Sequence, residues 1–217
     1  MAGDVRFGLV AFTTLIVVVD PFGLLPTYLA LTERHSPAQR RDVLRRAIVY
    51  GLLITLFFLV AGHAALAYLG VTVHAFAISG GILLFATAVP MLFGQRPATQ
   101  GAETSEARGT DADIAIFPIA IPLLAGPGTI TSVLLLAARA NGDWARWVIL
   151  AIVIAVVFLL AWLVLDRGSE WLPRKLGTSD IHVVTRVLGI LLAALAVQFV
   201  LNGIAGYVHS LQGANLP

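Results

Sequence analysis

The chain has 217 residues, of which 59% are hydrophobic and 12% charged, with a mean hydropathy of +0.91 and a net charge of +2 at pH 7. A soluble domain carries about 45–50% apolar and about 25% charged residues, so this composition excludes an ordinary water-soluble globule. The absence of Cys excludes disulfides and thiolate metal sites, and so small a net charge excludes a basic nucleic-acid surface.

The charged residues cluster and leave long apolar runs, each able to cross a hydrocarbon core of about 30 Å as a helix. The expected class is an all-α membrane protein with six transmembrane helices. The first run, 7–31, holds "DPFG" (Asp20, Pro21, Phe22, Gly23) and then Pro26. It is too long for a signal peptide and has no small-residue cleavage site, so it is expected to be retained. The next segment, "TERHSPAQRRDVLRR", reads as a positively charged loop, with a short surface helix over "SPAQRRDVLRRAIV" as the other reading. Runs 47–69 and 73–93 follow, separated by the tight turn "GVTV". Residues 95–113 are polar, rich in Gly, Ala and Thr, and lack aromatics, which predicts a linker. The fourth run, 114–138, holds Pro118, Pro122 and "GPGT" (Gly126, Pro127, Gly128, Thr129). Runs 144–165 and 183–208 are joined by "DRGSEWLPRKLGTSDIH", read as a loop.

The segments after runs one, three and five carry eleven Lys and Arg residues, against three on the other side (Arg6, Arg139, Arg146). The positive-inside rule places the eleven in the cytoplasm and both termini outside, in a plasma or bacterial inner membrane.

The chain also repeats itself. "HAFAISGGILLFATAV" from His74 and "HVVTRVLGILLAALAV" from His182 match at eight of sixteen positions, at an offset of 108. An offset of 106 places Pro21 on Pro127. The predicted organisation is one transmembrane domain made of two three-helix repeats, 1–94 and 114–217. Three spans are an odd number, so the second repeat enters the membrane inverted, an architecture recurrent in secondary transporters.

Proline removes a backbone donor, and in lipid an unwound stretch survives only where it is packed in protein or lines a wet cavity. Asp20 reads as the N-cap and Pro21 as the first residue of a second half-helix; Gly126 and Pro127 play the same parts in the fourth run. A half-helix N-terminus presents bare N–H groups and a positive dipole end to an anion. At "GPGT" these are the amides of Gly128 and Thr129, with the hydroxyls of Thr129, Thr131 and Ser132 close in sequence. Asp20 brings its own charge, and its second oxygen can accept from an ammonium, a proton or a sodium ion. Together the two ends suit a small zwitterion, with its carboxylate at "GPGT" and its amine at Asp20. The other reading makes Asp20 a cap only and the prolines mere kinks. Gln198 and Asn202, four apart, share a face of the sixth run and line a cavity or glue helices together.

"VDPFGLLPTYLALT" and "DIAIFPIAIPLLAGPGTITSVLLLA" closely resemble the two signature segments of the MarC family of integral membrane proteins, and the resemblance runs over essentially the whole chain. It implies six spans with a polar loop after the third. Some family members are described as transporters of small neutral amino acids such as alanine and glycine.

No nucleotide loop, zincin motif or nucleophile elbow is present, and no enzyme activity is expected. The expected function is a secondary transporter of small neutral amino acids, working by exchange or coupled to H+ or Na+, without other cofactors. The alternatives are a non-transporting membrane scaffold or assembly protein and an exporter of other small solutes. Expected partners are a zwitterionic substrate, the lipid bilayer and a second copy in a homo-oligomer, with no nucleic acid.

Overall fold

A computed structural model describes residues 2–33, 35–93, 115–140, 142–175 and 178–214. Every element among these residues is helical. In chain order they are α1 (Ala2–Val19), α2 (Pro21–Leu31), α3 (Pro37–Tyr68), α4 (Val73–Leu92), a π-helix (Ala115–Leu124), α5 (Pro127–Ala140), α6 (Trp144–Lys175) and α7 (Thr178–Ala214). The expected linker, 95–113, lies outside the described residues.

Among the described residues five stretches are long and apolar enough to cross a membrane: Gly3–Leu25, Pro37–Tyr68, Val73–Pro90, Trp144–Ser169 and Gly189–Leu211. The sequence reading expects a sixth over 114–138. Here the structure has two short pieces, the π-helix and the 14-residue α5. At about 1.5 Å per residue α5 spans about 21 Å, less than a hydrocarbon core. The first piece is also not an α-helix. Ala125 N–H reaches back five residues to the Ala120 carbonyl at 2.8 Å, and Pro122 has no N–H to give the carbonyls behind it. A wider turn is one way to re-satisfy a backbone that proline has disturbed.

Two segments read as loops are helix. The arginine-rich stretch is the first part of α3, because its start is strongly specified. Ser36 accepts from the Gln39 amide at 3.4 Å, Gln39 Oε1 accepts from the Ser36 amide at 3.0 Å, and Pro37 takes the first helical position. Likewise α6 continues to Lys175 and α7 starts at Thr178. Hydropathy marks where a chain leaves the bilayer, and a helix can run on into the headgroups. The turn "GVTV" is as expected: Gly70 has φ 68°, and the Val71 amide closes onto the Leu66 carbonyl at 2.9 Å.

The buried side chains form two clusters. The larger draws on α1, α2, α3, the π-helix, α5 and α6, and is centred on Leu15, Val19, Leu44, Leu124, Ile154 and Phe158. The smaller joins α1, α4 and α7 through Val18, Leu84, Ala88, Leu192, Ala196 and Phe199. α4 and α7 lie close along their length because glycines remove the side chains between them. A Cβ on Gly81 would stand 2.7 Å from the Ala196 carbonyl oxygen, and one on Gly203 2.7 Å from the His74 carbonyl oxygen.

These obstacles are backbone, which no rotamer change relieves. Gly81→Val is therefore expected to destabilise the fold by about 1–3 kcal/mol, read as a lowered melting temperature in detergent. The same substitution at the solvent-facing Ala38 should cost well under half as much.

Candidate functional site

The first interruption is compact. Asp20 stands between α1 and α2 with φ 44° and ψ 64°, a left-handed conformation costly for any residue with a Cβ. Its amide still donates to Ile16, at 3.1 Å, and its carbonyl accepts from Leu24, at 3.0 Å. The ladder is broken at three donors: Pro21 has none, Phe22 opens the new helix, and Gly23 donates to Asp20 Oδ1 at 3.0 Å. Asp20 thus caps α2 while buried, at 7% exposure, and no cation pairs with it among the described residues. Oδ1 has this one donor, and no counter-ion stands beside the carboxylate among the described residues.

The second interruption has the same plan with different chemistry. Gly126 caps α5 by accepting from Ile130 at 3.0 Å, and Pro127 opens the helix. Glycine has no side chain to take the amides of the first turn, so no cap carboxylate competes with a ligand there. Gly126, Gly128, Thr129, Thr131 and Ser132 are all buried. Two of the three hydroxyls are committed locally: Thr129 Oγ1 donates to the Leu124 carbonyl at 2.9 Å, and Ser132 Oγ to the Gly128 carbonyl at 2.7 Å. Thr131 Oγ1 is buried without a hydrogen-bond partner among the described residues and lies against Gly80 of α4.

The two interruptions are neighbours. A Cβ on Gly128 would stand 3.2 Å from Val18 Cγ1, two residues before Asp20, and would overlap Leu84 of α4. They also share a position in the packing. Ala11, Leu15 and Val19 turn one face of α1 to the larger cluster and Val18 turns another to the smaller, so the last turn of α1, just before Asp20, touches both cores. In α5, Val133 faces the larger core while Gly128 and Thr131 face α4. Both breaks lie on the seam between the two cores.

Other sequence-derived candidates lie differently. Pro21 is buried, Gly23 is half-buried, and Phe22 and Pro127 are exposed. Gln198 and Asn202 bond to each other along α7, Gln198 Nε2 donating to Asn202 Oδ1 at 2.9 Å, with Gln198 exposed and Asn202 half-buried. The contacts of Val18, Leu84 and Gly80 with the second break were not foreseen from sequence. Nothing in an apolar pattern distinguishes one helix-facing Leu or Val from another, although the "SGG" at Ser79 does mark a place for close approach.

The cap makes a definite prediction. Asn keeps an acceptor and tolerates left-handed geometry, so Asp20→Asn should melt close to the unsubstituted protein. Asp20→Ala loses the cap and still meets the left-handed penalty, and should be less stable by about 1–2 kcal/mol.

Comparison with known proteins bears on the whole chain. The model of the family described as "MarC family integral membrane protein" matches residues 5–208. UPF0056 membrane protein MJ1677 of Methanocaldococcus jannaschii is 35% identical over 94% of this chain and 98% of its own. A UPF0056 membrane protein of Archaeoglobus fulgidus is 38% identical over 94% of this chain and 95% of its own. The UPF0056 inner membrane protein YhgN of Escherichia coli K12 is 33% identical over 89% of this chain and 94% of its own. No solved structure matches. With its broken helices and this match over nearly its full length, the chain belongs to the MarC family of integral membrane proteins.

Proposed function

We propose that this protein is a secondary transporter of small neutral amino acids of the glycine or alanine type, working by alternating access, either by exchange or coupled to H+ or Na+. One observation carries the reading: both helix interruptions sit together on the seam between two separately packed cores. A ligand held there touches both bodies. Its binding energy therefore bears on their relative position, which is what rocking of one bundle against another requires. The α-carboxylate goes to the bare amides of Gly128 and Thr129, and the ammonium to the uncompensated carboxylate of Asp20. Thr131 offers a further hydroxyl. Pro21, Phe22, Gly23, Gly126, Pro127 and Ser132 shape the two ends. The amides of Gln198 and Asn202 line the approach.

The architecture proposed with it is an inverted repeat, with the π-helix and α5 acting together as the sixth crossing. Two features support it. Exchanging α1 with the π-helix, α2 with α5, α3 with α6 and α4 with α7 maps the packing of α1 and α2 on α6 onto that of the π-helix and α5 on α3. Gly62 of α3 receives Leu134 of α5, and Gly168 of α6 receives Leu25 of α2; the two glycines are 106 residues apart, as are Pro21 and Pro127. With both termini outside, the plasma membrane is the proposed location.

Two measurements test this. Proteoliposomes should accumulate labelled glycine or alanine across an imposed pH or sodium gradient, or exchange it against internal amino acid. Asp20→Asn should lower uptake at least about tenfold, the size expected for loss of a charge-assisted contact worth about 1.5–3 kcal/mol. Stable, monodisperse protein with neither uptake nor amino-acid binding would reject the transporter. For topology, the chain has no native Cys, so single substitutions report cleanly. Thr72→Cys should react with an impermeant maleimide in intact cells, and Ser36→Cys only after permeabilisation; the reverse would invert the orientation.

A further inference from the structure

The N-terminal part of α3 carries a feature that the transport site does not use. Asp42 lies between two arginines on the same helix: Arg45 Nη2 meets Asp42 Oδ1 at 3.1 Å, and Arg46 Nε meets Asp42 Oδ2 at 2.8 Å. Their side chains remain 74% and 45% exposed. A guanidinium has five N–H donors, and one nitrogen of each is engaged. The trio retains a net positive charge, with two forks fixed by one carboxylate.

Its position gives it meaning. The packed face of α3 runs through Val43, Leu44, Ala47, Gly51, Thr55 and Leu59. The opposite face continues from Arg46 through Tyr50, Leu53 and Phe57, which are 38%, 58% and 58% exposed. Steps of four, three and four keep these side chains in one stripe along the helix. Cations thus stand at the end of the apolar span, an amphipathic aromatic lies one turn inward, and bare hydrocarbon follows. That order matches the layers of a single lipid: phosphate, glycerol region and acyl chain.

We propose that this stripe is a binding site for an anionic phospholipid, whose phosphate is held by Arg45 and Arg46 and whose acyl chain lies along Leu53 and Phe57. Charge complementarity selects the lipid. Arginine forks hold phosphate oxygens in pairs, and the carboxylate of Asp42 fixes the two forks while leaving the trio net positive. A zwitterionic lipid brings its own cation to an already basic surface. The site is independent of transport and stands or falls separately from it.

The test uses the purified, delipidated protein in detergent, titrated with phosphatidylglycerol or phosphatidylcholine and read by native mass spectrometry. Phosphatidylglycerol should bind about tenfold tighter or more, from two arginines near a surface. The double variant R45Q/R46Q should lose that preference, and the single variant R46Q part of it. Arg139→Gln, at the opposite end of the molecule, should keep it. Melting temperature and size-exclusion profile identify any variant that fails to fold, and the single variant then decides. Equal binding of the two lipids, or a preference unchanged in folded R45Q/R46Q or R46Q, overturns the proposal. Full displacement of the lipid by millimolar inorganic phosphate overturns it as well, since the site would then be one for free phosphate.

Discussion

A backbone amide or carbonyl in hydrocarbon has no water to turn to, and an unsatisfied one costs several kcal/mol. This constraint governs the molecule. Both interruptions leave polar backbone groups exposed, and the fold answers each in a different way. At Asp20 a side-chain carboxylate takes the Gly23 amide. At Gly126 the chain supplies no side chain, and neighbouring hydroxyls of Thr129 and Ser132 turn back onto carbonyls of their own segment. Carbonyls are thereby cared for, and no cap side chain stands over the first-turn amides of α5. The two caps are therefore chemically unlike, one acidic and one without a side chain.

Packing brings the two interruptions together. The breaks could be harmless if each were sealed within a single core. Instead the last turn of α1 meets both cores, Val18 facing the smaller and Val19 the larger, and Gly128 lacks the side chain that would hold α1 and α4 away from α5. Glycine does similar service at Gly81 and Gly203, where α4 and α7 approach through backbone contacts. The α4–α7 pair is therefore tightly bound within itself. It is joined to the rest through a smaller patch, which includes the close approach of Gly80 to Thr131, where a Cβ would collide. Two rigid parts with a modest junction are the physical precondition for a hinge or a rocking motion.

The membrane boundary shows a second use of charge. Arg41 reaches Asp166 of α6 at 3.2 Å, and Arg40 Nη2 donates to the Thr32 carbonyl at 3.1 Å while its own carbonyl accepts from the buried Tyr28 hydroxyl at 2.9 Å. These contacts tie α2, α3 and α6 together at one end of the bundle. Arg45 and Arg46 point the other way, outward from the packed face. The same short arginine run thus serves both structure and surface, a division set by the 100° turn per residue of the helix on which it lies.

What the amino-acid sequence determined by itself was the solvent, the helical class, the family signature and the location of both interruptions. Each follows from composition or from a strong local rule: long apolar runs suit only hydrocarbon, and Asp-Pro and Gly-Pro restart a helix wherever they fall. Its reading of the arginine stretch as a loop failed because polarity reports the end of the bilayer, whereas the Ser36 cap reports the start of the helix. Its α-helical reading of 114–124 failed because the choice between α and π turns depends on where displaced carbonyls find donors. Only tertiary structure decided that Val18 meets Gly128, that the Thr131 hydroxyl is left without a partner among the described residues, and that the breaks lie between two cores. Those outcomes depend on which faces of similar apolar helices meet, and an apolar residue carries no mark in the sequence of the neighbour it will touch.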